Sequence, residues 1–271
     1  ETLRAAEVRG LVLDYDGTMV TTEARLSPPD PRLVAELERL LAADFPLAFA
    51  TGRGGSIGTM LRQVLPEKFH PRVTIGYYNG GYLAPLSIDI EKQPPEAHKG
   101  LQGFHHVLAA HGELFSAAVP RCSTMQISIP SGSLRNFEAG MQAIRKLIAQ
   151  HAQGVVRLIR SGHSLDIVPF DSGKGTVISR LRAALPDGGD VLSIGDSGDA
   201  QGNDYELFTA SIGLSVGKVC HRPNHGWNLG LVERGGPAEL LRILASLYLV
   251  APGQAKIDVD ALVNPDRKLP S

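Results

Sequence analysis

Short apolar runs alternate with longer amphipathic stretches along the first third of the chain. Each run is apolar at successive positions, which is typical of strands buried on both faces of a parallel sheet. The longer stretches carry leucines at helical spacing, and the first of them follows a serine- and proline-rich start signal. Strands that alternate with helices through short loops predict an α/β sheet with right-handed crossovers. The predicted strands are Val8–Leu13, Pro46–Ala50 and Val73–Gly76, and the predicted helices are Leu33–Leu41 and Ser56–Leu65.

The pattern changes after the turn at Asn79-Gly80-Gly81. Apolar and polar side chains now alternate, as in a half-buried antiparallel strand, and a longer amphipathic helix follows. This middle block therefore predicts an α+β insert. It is expected to hold a strand near Met125–Ile129, a helix at Asn136–Gln150, and a hairpin of Val155–Ile159 with Leu165–Val168.

The first pattern returns in the last third of the chain. A helix is predicted at Lys174–Leu185, a strand at Val191–Ile194, and helices near Asp204–Phe208 and Ala238–Leu247. The chain is thus predicted to form a doubly wound parallel-sheet core interrupted by one inserted domain. The predicted bounds are 1–82 and 166–250 for the core, 83–165 for the insert, and 251–271 for a polar C-terminal tail with weak structure.

Composition narrows the classes of partner. The 271 residues are 43% hydrophobic and 20% charged with a formal net charge of -1, so no global field would draw the protein to nucleic acid or to an acidic membrane. No apolar run reaches the roughly 18 residues that span a bilayer, and the N-terminus has no signal-peptide pattern. Cys122 and Cys220 form neither a metal spacing nor a disulfide framework. We expect a cytoplasmic protein, with its oligomeric state left open between monomer and dimer.

The first candidate for chemistry is Asp14-Tyr15-Asp16-Gly17-Thr18, directly after the first predicted strand. Two carboxylates two residues apart at such a junction can face one small volume, where a cation or a shared proton must relieve their repulsion. One can attack phosphorus and the other can exchange protons with the leaving group and with water. The alternative is a turn whose aspartates only cap backbone N–H groups.

Two further segments carry phosphate-binding chemistry. Thr51-Gly52-Arg53 follows the second strand, and a hydroxyl beside a glycine is suited to hold phosphate oxygens, although a threonine that caps the next helix would look the same. Lys174 opens a predicted helix, where it could neutralise a carboxylate and the phosphoryl charge. A solvated lysine is the alternative.

The fourth segment runs from Gly195 to Asp204 after the strand at Val191–Ile194. Mg²⁺ prefers carboxylate oxygens completed by water and substrate phosphate, and Asp14 and Asp196 with the backbone carbonyl of Asp16 would supply half of such a shell. A Gly/Asp-rich loop without a metal is the alternative. All four segments lie at strand ends, where open α/β sheets bind ligands, and this co-occurrence favours the functional interpretation.

With these four motifs the sequence resembles the haloacid dehalogenase superfamily of phosphatases, with an inserted cap like that of the type IIB sugar phosphatases. Local stretches resemble sucrose and trehalose phosphatases. The resemblance implies a Rossmann-like core, Mg²⁺, and an aspartyl-phosphate intermediate. By position it implies that Asp14 is the nucleophile and Asp16 the general acid/base. It also implies that Thr51 binds phosphate, that Lys174 stabilises the nucleophile and the phosphoryl group, and that Asp196 is a metal ligand.

One departure concerns the outer metal shell. The type IIB pattern has Asn-Asp three and four residues after the metal aspartate, where this chain has Asp199-Ala200. Asn203-Asp204 fits instead if the loop carries a four-residue insertion, and this placement is preferred because the pair leads into a helix. Asp199 stays open as the alternative. The predicted metal site is therefore Asp14, Asp16, Asp196, Asn203 and Asp204.

The remaining candidates concern the substrate. Loop and hinge positions expected to contact it are Gly17, Thr18, Gly52, Arg53 and Asn79, and cap positions are Arg121, Arg160 and His163, for which solvent exposure is the alternative. Histidines 105, 106 and 111 have no metal-type partners and are expected at the surface or in packing. The segment Gly217–Gly230 is assigned no chemistry.

The predicted function is hydrolysis of a small phosphate monoester, with a sugar or polyol phosphate as the leading class because of the cap resemblance. A phosphomutase or phosphotransferase, in which another hydroxyl intercepts the phosphorylated aspartate, is the enzymatic alternative. A non-catalytic module that binds a phosphorylated ligand is the alternative of another class.

Overall fold

The computed structural model describes residues 1–162, 164–186, 189–222, 225–230 and 235–264. The strands are β1 Val8–Leu13, β2 Leu47–Ala50, β3 Val73–Tyr77, β4 Tyr82–Pro85, β5 Ile127–Pro130, β6 Val156–Arg160, β7 Ser164–Pro169, β8 Asp190–Gly198, β9 Ile212–Val219, β10 Leu247–Ala251 and β11 Gln254–Ile257. The α-helices are α1 Thr2–Ala5, α2 Pro31–Ala42, α3 Ser56–Val64, α4 Lys99–Ala109, α5 Phe137–His151, α6 Lys174–Ala183, α7 Tyr205–Ala210, α8 Gly236–Ser246 and α9 Val259–Val263. Every helix and strand predicted for the core is present, with ends shifted by a few residues.

The large sheet has eight strands and is built around β1. Strands β2 and β8 flank β1 in parallel, β3 and β9 continue the sheet outward in parallel, and β4 pairs antiparallel with β3. Leu13 at the end of β1 is in register with Phe49 of β2 and with Ile194 of β8. The carboxyl ends of these three strands therefore lie at one edge, and the segments that follow them meet there.

Both faces of the large sheet are covered because alternate side chains of its strands are apolar. Leu11 and Leu13 pack in one buried cluster with side chains of α2, α3 and α8, while Val12 packs in another with side chains of α6 and α7. Burial on both faces is what continuous apolar runs predict. The doubly wound α/β architecture is thereby confirmed.

A second, antiparallel sheet of order β5-β7-β6 lies between the two halves of the core sequence. One face carries Ile127, Ile129 and Ile167, which pack with side chains of α4 and α5 in a separate buried cluster. The intervening residues Ser128 and Asp166 sit on the opposite face, as the strand period requires. We call residues 99–169 the cap.

The joints between core and cap lie slightly later than predicted. Strand β4 still belongs to the large sheet, although the insert was expected to begin at residue 83, and β7 belongs to the small sheet, although the core was expected to resume at residue 166. The reason is that β4 forms a hairpin with β3 of the core, and β7 pairs with β5 and β6 of the small sheet. Within the described residues, no helix combines the length and apolar character needed to cross a bilayer.

The expectation of a weakly structured tail at 251–271 is wrong for its first part. Strand β11 pairs with β10 and, at Ala255, with Val8 of β1, and α9 follows. Ala255, Ile257 and Leu262 are buried among the core residues. Their apolar positions are few and spaced among polar ones, so they become a core element only when β1 supplies the partner strand. Residues 265–271 lie outside the described part of the chain.

Candidate active site

Three carboxylates from three distant segments converge at the carboxyl edge of the large sheet. Asp14 follows β1, Asp196 lies near the end of β8, and Asp204 immediately precedes α7. One oxygen of each lies within 4.8 Å of the others, and this is a cluster that could hold a metal ion among the residues the structure describes. Asp14 and Asp204 are almost fully buried, at 4% and 0% exposure.

Lys174, the first residue of α6, joins two of these carboxylates. Its ammonium group donates to Asp14 Oδ1 and to Asp204 Oδ1, both at 2.6 Å, and the lysine is 1% exposed. Asp204 Oδ2 accepts from the backbone N–H groups of Asp196 and Ser197, each at 3.0 Å. Asp204 is thus tied to the lysine on one side and to the loop of Asp196 on the other.

The electrostatics of this cluster follow from burial and crowding. Burial, followed by the charge of Asp204, holds the pKa of Asp14 well above its ordinary value. The same two causes raise the pKa of Asp196 to about 7. Burial alone would lower the pKa of Lys174, but the two carboxylates that it contacts raise it above its ordinary value. Three hard oxygen donors that repel one another form a set that suits a divalent cation such as Mg²⁺.

Gly17 and Thr18, which follow Asp14 in the same loop, shape the surroundings of the carboxylates. Gly17 has φ +85°, and a Cβ there would lie 2.3 Å from Asp196 Oδ2, so only glycine fits at this turn. Thr18 is fully buried and its hydroxyl donates to Asp14 Oδ2 at 3.2 Å. Both had been expected to contact substrate, but they are not among the residues that line the cavity, and they position carboxylates instead.

Asp16 and Arg53 face the cavity as a pair. The guanidinium Nη1 of Arg53 lies 3.3 Å from Asp16 Oδ1 and donates to the backbone carbonyl of Arg25 at 2.7 Å. Arg53 also lies 5.7 Å from the ring centroid of buried Tyr15. Asp16, Gly52 and Arg53 all line the cavity above Asp14. The arginine thus holds the second carboxylate in place at the cavity wall.

Thr51 is fully buried at the end of β2 and does not belong to the cavity lining. Its hydroxyl oxygen accepts from the backbone N–H of Arg53 at 3.0 Å, and its backbone carbonyl accepts from Asn79 N at 2.7 Å. Thr51 thus closes the turn after β2 and does not cap α3, which begins at Ser56 with Gly55 as its N-cap residue, so the helix-capping alternative is wrong. The predicted contact of Thr51 with phosphate therefore stays a prediction.

The cavity above Asp14 has a volume of about 470 Å³ and is closed on the far side by the cap. The cap contributes Gln126, Ser128, Ser164 and Asp166 to its wall, together with Ser161 and Gly162. The sequence analysis identified none of these six residues as part of the site. The alternation Ile127-Ser128-Ile129 marked a half-buried strand, but its polar face carried no signal of what it looks toward.

Asp166 is the centre of a polar network on this wall. It is 3% exposed and accepts from Ser128 Oγ at 2.7 Å, from Ser164 Oγ at 3.1 Å and from Asn79 Nδ2 at 3.4 Å. Burial raises its pKa, against the lowering effect of these hydrogen bonds. Asn79 also donates to Gln126 Oε1 at 3.3 Å. The network carries several donors and acceptors toward the space where the leaving group of a phosphate ester would lie.

Asn79 itself lies behind the wall rather than in it. The residue is fully buried, and Tyr78, Asn79 and Gly80 all have positive φ, which marks a tight left-handed turn between β3 and β4. Asn79 was predicted to contact substrate, but its side chain donates to Gln126 and Asp166, which do line the cavity.

The other predicted positions are distributed differently. Asn203 lines the cavity, whereas Asp199 lies outside the carboxylate cluster, where its side chain accepts from the backbone N–H of Gln201 at 3.0 Å. Arg121 is exposed on the cap and is not part of the cavity lining, and Arg160 lines an adjoining cavity. His163 lies outside the described residues.

Within Gly217–Gly230, Gly217 and Lys218 line the cavity, and residues 223 and 224 lie outside the described part of the chain. His105 bonds the carbonyl of Pro120 and His111 bonds Glu113, so these two histidines have local partners.

Comparison with solved structures finds this fold among phosphatases of the haloacid dehalogenase (HAD) superfamily. The trehalose-6-phosphate phosphatase of Aspergillus fumigatus aligns with a TM-score of 0.59 at 19% identity, covering 88% of this chain and 92% of that one. The sucrose-phosphatase of Synechocystis, solved with sucrose and phosphate, aligns at 0.57 and 19% identity, covering 85% and 94%. A HAD subclass IIB sugar phosphatase aligns at 0.54 and 16% identity, covering 78% and 88%.

No protein-family model matches the chain, and no curated protein matches its sequence. The similarity lies in the fold, which is the one that the four motifs indicated: a Rossmann-like α/β core with an inserted α+β cap.

Proposed function

We propose that this chain, which has the HAD phosphatase fold, is a Mg²⁺-dependent phosphatase that hydrolyses a small phosphate monoester by way of a phosphorylated Asp14. The observation that carries the proposal is the convergence of Asp14, Asp196 and Asp204, two of them bonded to Lys174, beneath a cavity between core and cap. A buried cluster of like charges is unfavourable unless it serves to bind something of opposite charge.

The nucleophile is Asp14. Lys174 holds one of its oxygens and Thr18 the other, which fixes the plane of the carboxylate beneath the cavity. Mg²⁺ bound by oxygens of Asp14, Asp196 and Asp204 would keep Asp14 ionised and offset the charge of the phosphoryl oxygens. The buried ammonium group of Lys174 adds a second positive charge beside Asp14.

Two displacements at phosphorus complete the reaction. In the first, an Asp14 oxygen forms a bond to phosphorus while the ester P–O bond breaks, and Asp16 transfers its proton to the leaving oxygen. In the second, a water molecule gives its proton to the Asp16 carboxylate as its oxygen bonds to phosphorus, and the Asp14–phosphorus bond breaks. Arg53 keeps Asp16 oriented toward the cavity through both steps.

A sugar or polyol phosphate is the substrate class that the cavity wall supports best. Gln126, Ser128, Ser164 and Asp166 present amide, hydroxyl and carboxylate groups, and these can both donate to and accept from substrate hydroxyls. A pocket built to hydrogen-bond hydroxyl groups discriminates strongly against analogues that lack them, because its buried polar groups are then left unpaired. We therefore expect polyhydroxylated esters to be preferred over aromatic or alkyl phosphates.

The test is a phosphate-release assay on the purified protein with sugar, polyol, nucleotide and aromatic phosphates, with and without Mg²⁺. Asp14→Asn should abolish turnover while the protein stays folded by circular dichroism. Asp44→Asn is the matched control, since Asp44 has 73% of its side chain exposed and a positive φ that asparagine tolerates.

Retained turnover in Asp14→Asn would refute the assigned nucleophile. Product formed only when an acceptor alcohol is added would indicate the phosphotransferase alternative. Tight binding of phosphorylated ligands without any turnover by the wild type would indicate the binding module.

A further inference from the structure

A second cavity, also about 470 Å³, adjoins the one above Asp14. The two share four lining residues: Ser161, Gly162, Ser197 and Lys218. The second cavity is bounded on the cap side by Ser131, Phe137 and Arg160, and on the core side by Asp199, Gln201 and Gly202 from the loop inserted between Asp196 and Asp204. Because the two cavities share these lining residues, they lie side by side. A long leaving group whose phosphate is held above Asp14 would therefore reach the second cavity.

Lys218 stands at the junction of the two cavities. It lies on β9 opposite Ser197 of β8, one residue from the metal-site Asp196, so its backbone is fixed by the sheet. Its side chain is exposed, and its ammonium group has no hydrogen bond or ion pair with any of the residues that the structure describes. The ammonium group of Lys174, by contrast, already donates to the carboxylates of Asp14 and Asp204. Lys218 is therefore a cation on a cavity wall that is available to a ligand.

The other charged groups of the second cavity are already engaged. Arg160 donates to Gln201 Oε1 at 3.0 Å, lies 3.6 Å from Glu138, and stacks 5.0 Å from the ring centroid of Phe137. Asp199 accepts the backbone N–H of Gln201 at 3.0 Å. Glu138 offsets the charge of Arg160, and the side chain of Asp199 bonds to a backbone N–H group of its own loop. Lys218 is the cation on this wall that has no bonded partner among the described residues.

We propose that Lys218 binds a second anionic group, a carboxylate or a phosphate, at the end of the leaving group remote from the scissile ester. This inference rests on the proposed phosphatase function and narrows its substrate class to phosphate esters that carry a further acidic group. A neutral sugar would leave the ammonium group without a partner, whereas an anion gains a charge-assisted hydrogen bond. Arg25, an equally exposed cation, lines only the first cavity and is assigned no part in this recognition.

The experiment compares kcat/KM for matched esters in the full-length protein with Mg²⁺. The probes are 6-phosphogluconate, which carries a carboxylate, fructose 1,6-bisphosphate, which carries a second phosphate, and sorbitol 6-phosphate, which is neutral beyond its ester. Wild type should prefer at least one anionic probe over sorbitol 6-phosphate by about tenfold, the size expected of a partly exposed hydrogen bond to a charged group. The preference should shrink as salt is raised from low ionic strength, because salt screens exposed charges.

The Lys218→Gln variant should lose most of that preference, through a rise in KM for the anionic probe. Lys146→Gln, the same change on an exposed face of α5, should keep it. Whichever anionic probe responds to Lys218→Gln identifies the second group as carboxylate or phosphate.

Two results would overturn the inference: equal kcat/KM for neutral and anionic esters in wild type, or an anionic preference that survives in Lys218→Gln. Either would leave the proposed function standing if sorbitol 6-phosphate is hydrolysed with Mg²⁺. Absence of turnover on every ester would instead refute the phosphatase itself.

Discussion

Replacing Asp204 by asparagine preserves the shape of the side chain and removes its charge. In the wild type one oxygen accepts from Lys174 and the other from the backbone N–H groups of Asp196 and Ser197. An amide has one acceptor oxygen and one NH₂ group, so it must turn a donor either toward the lysine or toward the two N–H groups. One set of buried donors is then left unpaired, at about 1–3 kcal/mol. Since Asp204 raises the pKa of Asp196, the variant should also lower that pKa from about 7.

The larger effect of Asp204→Asn concerns Mg²⁺. A 100-fold loss of affinity is the upper end of what loss of a partner around a metal site causes. At a Mg²⁺ concentration about 1,000 times the wild-type Kd, ligand linkage stabilises the wild type by about 4.1 kcal/mol, and a 100-fold weaker site by about 1.4 kcal/mol. For a chain of this size each kcal/mol moves Tm by about 2–4 °C. The Mg²⁺-induced rise in Tm should therefore be smaller in the variant by roughly 5–10 °C.

The assay for this prediction is differential scanning calorimetry of wild type, Asp204→Asn and Asp199→Asn, each with and without Mg²⁺. Asp199 is the matched control because it lies in the same loop and bonds only the backbone of Gln201. It should keep the full Mg²⁺-induced rise. An equal or greater loss in Asp199→Asn would refute the assignment of Asp204 to the metal site and the placement of the loop insertion.

Two further outcomes follow from Gly17 and Asp166. Gly17→Ala should weaken Mg²⁺-dependent turnover by more than tenfold, because the added Cβ would displace the carboxylate of Asp196. Gly154→Ala is the control: this glycine has φ +72° with open space around it, so the substitution adds backbone strain alone and should leave turnover intact. Asp166→Asn should gain stability relative to wild type, by urea unfolding, as the pH rises above the ordinary aspartate pKa of 3.8. Burial raises the folded-state pKa of Asp166, so the wild type is favoured at low pH and loses that contribution as the carboxyl ionises; a difference independent of pH would contradict this.

The part of the fold that was predictable is the part whose signal is local. Apolar runs identified β1, β2 and β8, and parallel pairing in register then forces their following segments to one edge. The positions of Asp14 and Asp196 in one site follow from that geometry. Lys174 begins α6 after β7, a strand of the cap sheet, so its place beside Asp14 follows from the packing of α6 against the large sheet. Strand β11 was missed because its two buried side chains become a pattern only beside β10 and β1.

The cap-facing half of the site was not predictable in the same way. Ser128 and Asp166 alternate with apolar residues, which places them on the second face of a sheet and leaves open whether that face meets water or a ligand. The sequence did not identify Lys218 as a binding residue, because the cavity that it lines exists only where the loop near Asp199 faces the cap. Such information resides in the packing of two units against each other, and no single segment carries it.

The charge of the carboxylate cluster also indicates which cation it suits. Asp14, Asp196 and Asp204 oppose one ammonium group, Lys174, so full ionisation leaves two negative charges in a largely buried volume. Burial and the neighbouring charge of Asp204 raise the pKa values of Asp14 and Asp196, which favours their protonated forms. A divalent ion balances them, whereas a monovalent ion leaves one carboxylate still favouring a proton. In the proposed mechanism Asp14 attacks phosphorus only when it is ionised, so the ion that neutralises the cluster would also make that attack possible.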